Sequence, residues 1–149
     1  MASIIEIKNQ QKNLTFQPSR LRRIIRKILD HEGVRDARLS LVFVTDRTIQ
    51  SLNKQFLRRN HSTDVLAFDL RDDASPRRQR KKIKIVEGEV IISTTSVYNN
   101  SKRFGNPPER ELELCVIHGI LHLLGYDDHK AADIRRMRAK EKELIKKFC

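Results

Sequence analysis

The chain has no tryptophan, two tyrosines and six phenylalanines, so aromatic residues make up only 5% of its 149 positions. That scarcity argues against a platform on which successive unpaired bases stack. Cysteine is rarer still. With Cys115 inside an apolar run and Cys149 at the end of the chain, no disulfide framework is expected and a reducing cytoplasm is the default compartment. No apolar run approaches the ~20 residues that cross a bilayer. The first eight residues lack the basic-then-apolar pattern of a secretion signal. Five glycines and four prolines leave little material for linkers, and no internal repeat is visible. These absences point to one globular domain over residues 1–149, large enough to bury a core without staples.

What the chain does have is positive charge. Thirty-one Lys and Arg against nineteen Asp and Glu give +12, with a pI near 10.2. An imbalance of that size in a small domain suggests a polyanionic partner. Nothing lipid-inserting accompanies it, so nucleic acid outranks a membrane, with recognition leaning on phosphates and shape. Two stretches concentrate the charge. Arg20, Arg22, Arg23, Arg26 and Lys27 share a helical segment, and Arg77, Arg78, Arg80, Lys81 and Lys82 fall in an odd polar stretch around residues 76–84. Each reads equally well as a solvated surface or as a grip on phosphates.

Hydrophobic spacing gives the expected elements. Residues 3–8 and 39–44 read as strands, the second too apolar for an exposed edge. Residues 65–70 and 83–92 read as two more, with Gly88 marking a bulge or a close backbone approach. Pro18 opens a helix that Gly33 ends, with His31 as a local cap. Thr45 or Asp46 caps a short helix through Phe56. Residues 93–104 look helical up to Gly105. Pro107-Pro108 opens a further helix whose Glu109, Glu111 and Glu113 suit its positive end, and residues 131–148 form a last, highly charged one. The order implies an α+β fold, a mixed sheet of about four strands packed with about five helices.

Three of the five histidines fall within residues 118–129. The helix over about 109–124 is apolar almost all round, which marks it as buried. His118 and His122 are four apart, hence stacked on one face. Gly125 can stop the helix in a left-handed conformation and bring His129 back toward them. Three imidazoles converging at the carbonyl end of a buried helix make a metal site with an open position. A water on such an ion ionises near neutral pH and can attack a polarised phosphoryl or carbonyl group. Gly119 occupies the place where a zinc protease of the H-E-x-x-H type carries its glutamate base, which counts against a peptidase. Cys115 reads as packing. Asp127 and Asp128 can orient a histidine, act as a base or cap the next helix. Arg58 and Arg59 can neutralise phosphate charge in a transition state or form a solvated basic turn.

The block His118-Gly-Ile-Leu-His122-Leu-Leu-Gly125-Tyr126-Asp127, with Asn53, Phe56, residues 63–68 (Thr-Asp-Val-Leu-Ala-Phe) and 88–92 (Gly-Glu-Val-Ile-Ile), resembles the bacterial YbeY family. The resemblance runs from about Leu39 into the last helix. It implies a single-domain, metal-dependent endoribonuclease of the single-strand type, with one zinc ion held by His118, His122 and His129. It also implies work at the 3′ end of the small-subunit ribosomal RNA and in ribosome quality control, in the cytoplasm. Ribosomal proteins or a ribosome-associated GTPase would be its partners. The sequence departs from the family pattern twice. The usual spacing is H-x3-H-x5-H, and here Asp128 stands where the third histidine would be. His129 is the favoured ligand because imidazole suits zinc and a turn can absorb an insertion, with Asp128 as the substitute. Leu57 stands where some members carry an arginine implicated in activity; Arg59 or Arg58 would take its place, with Asp127 beside the metal. Two other readings remain: a ribosome-associated RNA-binding assembly factor with a structural metal, and, further off, a metallopeptidase.

Overall fold

Every strand expected from the spacing forms, and all four join one sheet. The computed structural model describes residues 2–57, 64–71 and 85–149, without the side chains of residues 2, 56 and 57. The strands are β1 (Ala2–Asn9), β2 (Asp36–Val44), β3 (Val65–Asp69) and β4 (Ile85–Ser93), in the spatial order β1-β2-β4-β3. β1, β2 and β4 run parallel, and β3 returns antiparallel to β4 with Val65 opposite Ile92. Parallel neighbours need a crossover, and helix α1 (Pro18–His31) supplies the one between β1 and β2. The other helices among the described residues are α2 (Asp46–Leu57), α3 (Thr94–Phe104), α4 (Pro108–Leu123) and α5 (Ala131–Phe148). None of them is long and apolar enough to cross a membrane. The architecture is the α+β mixed sheet with five helices that the spacing implies.

Alternation along the strands divides the core. Leu39, Leu41 and Phe43 of β2 face the same side as Val86, Val90 and Ile92 of β4, and α1 and α4 pack onto them. Val44 and Ile91 face the opposite side, where Ile49 of α2 covers them. α4 is buried on two sides. Leu112, Val116, Ile120 and Leu123 rest on the sheet, while Ile117 and Leu121 meet Ile24 and Ile28 of α1 and Met137 and Leu144 of α5. A helix held between a sheet and two other helices has to be apolar nearly all round, as this one is.

Two glycines set how close α4 lies to the sheet. A Cβ at Gly88 would sit 2.7 Å from the Phe68 carbonyl oxygen and 2.8 Å from Leu123 Cδ2. The pairing of β2 with β4 passes through Gly88 without interruption, so of the two expectations for this residue the close approach is the one realised. A Cβ at Gly119 would sit 2.5 Å from Val90 Cγ1. The helix therefore comes down on β4 at its histidine-bearing end, where any larger side chain at 119 would push it off.

Two expectations about charged residues change. His31 does not cap α1 locally: its Nε2 lies 3.8 Å from both Glu32 and Glu143, and its ring meets Phe148 edge-on. It ties the end of α1 to α5. The basic face of α1 is partly used inside the protein. Arg20 bonds Glu113 at 2.8 Å, Arg22 donates to the Ile5 carbonyl and Arg26 to the Ser3 hydroxyl. The basic stretch 76–84 lies outside the described residues.

Candidate metal centre

α4 ends as its sequence demands. Gly125 has φ 101°; its N–H donates to His122 O and the Tyr126 N–H to Leu121 O, both at 3.0 Å. This pair of bonds closes a helix through a left-handed residue. The chain then runs without regular structure from 126 to 130 before α5 begins. The turn brings the segment after Gly125 back over the last two turns of α4, as the glycine implies.

Which residue it delivers differs from the expectation. The donor atoms that converge are His118 Nε2, His122 Nε2 and Asp128 Oδ2: the two nitrogens are 3.1 Å apart, and the oxygen is 3.5 Å from each. His129 is turned away. Its side chain is 73% exposed and its Nε2 sits 3.2 Å from Asp127 Oδ1. The turn thus aims residue 128 at α4 and leaves the side chain of residue 129 in solvent. Asp127 accepts the Asp128 N–H at 3.1 Å as well as facing His129; it lies beside Asp128 rather than against the two α4 imidazoles. Arg58 and Arg59 lie outside the described residues.

The separations suit a metal ion. Around an ion with bonds of about 2.1 Å, adjacent corners of a tetrahedron stand roughly 3.4 Å apart. The three donors match one face of such a figure. Their side chains are 26%, 21% and 39% exposed, so the fourth corner looks into a cleft rather than into protein. Other described residues form His-carboxylate trios too: His31, Glu32 and Glu143, and Asp127, Asp128 and His129.

Glu141 is a partner that sequence reasoning missed. This residue of α5 is buried at one turn's spacing from Met137, and its Oε1 bonds His118 Nδ1. A carboxylate on Nδ1 fixes the ring and leaves Nε2 free to ligate, and it makes the imidazole a stronger donor. Burial works to lower the His118 pKa, but the hydrogen bond and charge of Glu141, with Asp128 behind them, outweigh it and hold it above the ordinary value. A glutamate in a helix with charge all round it is indistinguishable, in sequence, from its solvated neighbours; the signal available was its place four residues after Met137, on the apolar stripe of α5. Cys115 packs at the same cleft, and burial pushes its thiol far above the ordinary range, which keeps it a neutral packing group at neutral pH.

Comparison with known proteins agrees with this arrangement. The family model described as Endoribonuclease YbeY matches residues 6–149. The chain belongs to the YbeY family. An Endoribonuclease YbeY from Syntrophotalea carbinolica is 35% identical over 144 residues, 95% of this chain and 93% of that protein. Another, from Nautilia profundicola, is 38% identical over 113 residues, 76% of this chain and 73% of the relative. A solution structure of a Thermotoga maritima protein superposes with a TM-score of 0.64 at 28% identity, covering 96% of this chain and 87% of that one. The YbeY relatives are named for endoribonuclease activity.

Proposed function

We propose that this protein is a metal-dependent endoribonuclease that hydrolyses phosphodiester bonds of ribosomal RNA, with one zinc ion held by His118, His122 and Asp128. The observation that carries the reading is the half-exposed trio: three donors spaced for one face of a tetrahedral ion, with the remaining corner open to a cleft. A structural site would close that corner with protein. When bound, the ion would supply a Lewis acid for the phosphoryl oxygen and a water acidic enough to attack at neutral pH.

The chain's own residues do the rest. Glu141 orients the His118 ring and presents Nε2. The Gly125 turn fixes Asp128 over the two imidazoles. Asp128 also brings a negative charge where the family pattern has a neutral ring, so the ligand set carries one formal charge more toward balancing a divalent ion. Asp127, holding the Asp128 N–H, stiffens that loop. Gly119 leaves no side chain where a metallopeptidase places its base, and a glutamate there would collide with Val90; this supports RNA over peptide as substrate, as does the net charge of +12. Action at the small-subunit ribosomal RNA end, and ribosomal proteins or a GTPase as partners, come from the family likeness.

The decisive experiment is cleavage of a ribosomal RNA fragment by the purified protein. Activity is expected with zinc, and it should disappear both on chelation and in His118→Ala. Cleavage that survives either treatment overturns the proposal. RNA binding without cleavage, with unfolding on metal removal, would favour a structural metal instead.

A further inference from the structure

A cleft of about 760 Å³ takes in His118 and Asp128 of the trio, a size within the usual range for ligand pockets. Glu141 and Arg138, one turn apart on α5, line it too, as do Arg103 and Phe104 at the end of α3. Phe104 is unusual in this molecule. Phe43 is fully buried and Phe16 packs against it with ring centroids 4.5 Å apart, whereas Phe104 is 60% exposed. It is the last residue of α3, and Gly105 follows at φ 72° to turn the chain away. The Arg103 guanidinium lies over the Phe104 ring, 5.3 Å from its centre, so a cation already covers one face of the ring and leaves the other for a second planar group.

The charges around the cleft are not balanced in their commitments. Each carboxylate on its wall already has a partner: Asp64 takes the Asn100 amide, Glu111 the Asn106 amide, Glu141 the His118 ring, and Asp128 belongs to the trio. Neither Arg103 nor Arg138 is in an ion pair among the described residues. A cleft that offers an exposed aromatic ring, two guanidinium groups outside any ion pair among the described residues and the trio matches a ligand with a planar base, an anionic linker and a scissile phosphodiester in one piece.

We infer that Phe104 is the stacking wall of a subsite for one unpaired nucleotide of the RNA, next to the phosphodiester held at the trio, with Arg138 and Arg103 on its backbone phosphate. The inference rests on the ribonuclease reading and adds to it the side chain that grips an unpaired base. A duplex keeps its bases stacked on one another and offers none to Phe104. With so few aromatics in the chain, one base rather than a run of bases is gripped, and the remaining affinity comes from phosphates.

The test uses the full-length, metal-loaded protein and a set of single-stranded ribosomal RNA oligonucleotides, each with one abasic residue. Wild type should lose about tenfold in kcat/KM at a single position a fixed distance from the cleaved bond, in line with the worth of one base stacked on an aromatic ring. Phe104→Ala should raise KM about tenfold on intact RNA with kcat little changed, and should lose its sensitivity to the abasic position. Phe104→Trp should keep both. Arg138→Ala should weaken binding at every position alike and flatten the salt dependence by about one phosphate contact. Because Phe104 is exposed, its variants are expected to melt as wild type does. A Phe104→Ala protein with wild-type KM and an unchanged abasic profile overturns the subsite while leaving the nuclease intact. Equal loss on duplex RNA overturns the unpaired-base assignment. A wild-type protein that cuts none of these RNAs removes the nuclease reading and the subsite together.

Discussion

Of the clusters of histidine and carboxylates that lie within reach of a single ion among the described residues, two share no residue and are built differently. One is His118, His122 and Asp128; the other is His31, Glu32 and Glu143, where α1 meets α5. In the second, the gap is already filled by the protein. The Lys140 ammonium lies 3.1 Å from Glu32 and 2.9 Å from Glu143. Burial works against its charge, but those hydrogen bonds hold its pKa above the ordinary value, and the same contact pulls the exposed Glu143 carboxyl below its own. In the first, the carboxylate of Glu141 stands behind His118. Both places have the composition of a metal site. They differ in what lies against them, an ammonium at the second and a buried carboxylate at the first.

Removing a ligand should break the first cluster most completely. His122→Ala is expected to lower zinc affinity by more than about 100-fold, beyond what loss of a supporting group costs, as read by isothermal titration against a chelator. Asp128→Ala should cost nearly as much, roughly 10- to 100-fold, and His129→Ala less than about threefold by the same titration. The reverse order would restore the imidazole that ligand chemistry favoured. Glu141→Gln should follow at about tenfold, with the fold kept, because glutamine fills the same space without the charge that strengthens the ring; no change in zinc affinity would reduce Glu141 to packing.

Gly119→Ala tests the seat of the helix rather than its ligands. The added methyl meets Val90 inside a packed core, and overpacking of that kind costs about 1–3 kcal/mol, visible as a lower melting temperature. The smallest effect belongs to the second cluster. Lys140→Met should cost about 1 kcal/mol, since one long side chain links two carboxylates at a partly exposed site. Its pH dependence has a definite sign. A carboxyl whose folded pKa is depressed stabilises above its ordinary pKa, and that part is lost as pH falls through the depressed value. The wild-type advantage over Lys140→Met should thus be present at pH 7 and shrink below about pH 4, measured by urea unfolding at both. With the ammonium gone, His31, Glu32 and Glu143 would be free to take a second, weaker zinc ion, seen as a stoichiometry rising above one. If the variant still binds only one, the ammonium is not what separates the two clusters.

Much of the site could be read from the chain because its signals are local. The four-residue spacing of His118 and His122, the glycine that stops α4 and the apolar wrap around the helix are each a matter of a few neighbouring residues. The strands and helices follow the same logic, and α5 spans the residues its pattern marked. The third donor could not be read this way. Asp128 and His129 are adjacent, and ligand chemistry favours the imidazole; the choice depends on which of the two side chains the turn aims inward. Glu141 and Phe104 were hidden for a related reason. One is an acidic residue in a charged helix and the other an aromatic at a helix end, and neither pattern tells which helix it will face.

The sequence alone determined the elements, the central helix and the pairing of two imidazoles on one of its faces, because backbone periodicity and turn chemistry act over one or two turns of chain. Tertiary structure decided the rest: the carboxylate completing the trio, the glutamate behind His118, and the cleft that joins them to Phe104. Those relations span up to 37 residues, from Phe104 to Glu141. They are set by how closely α4 can settle on β4 over Gly88 and Gly119, a packing distance that no local pattern encodes.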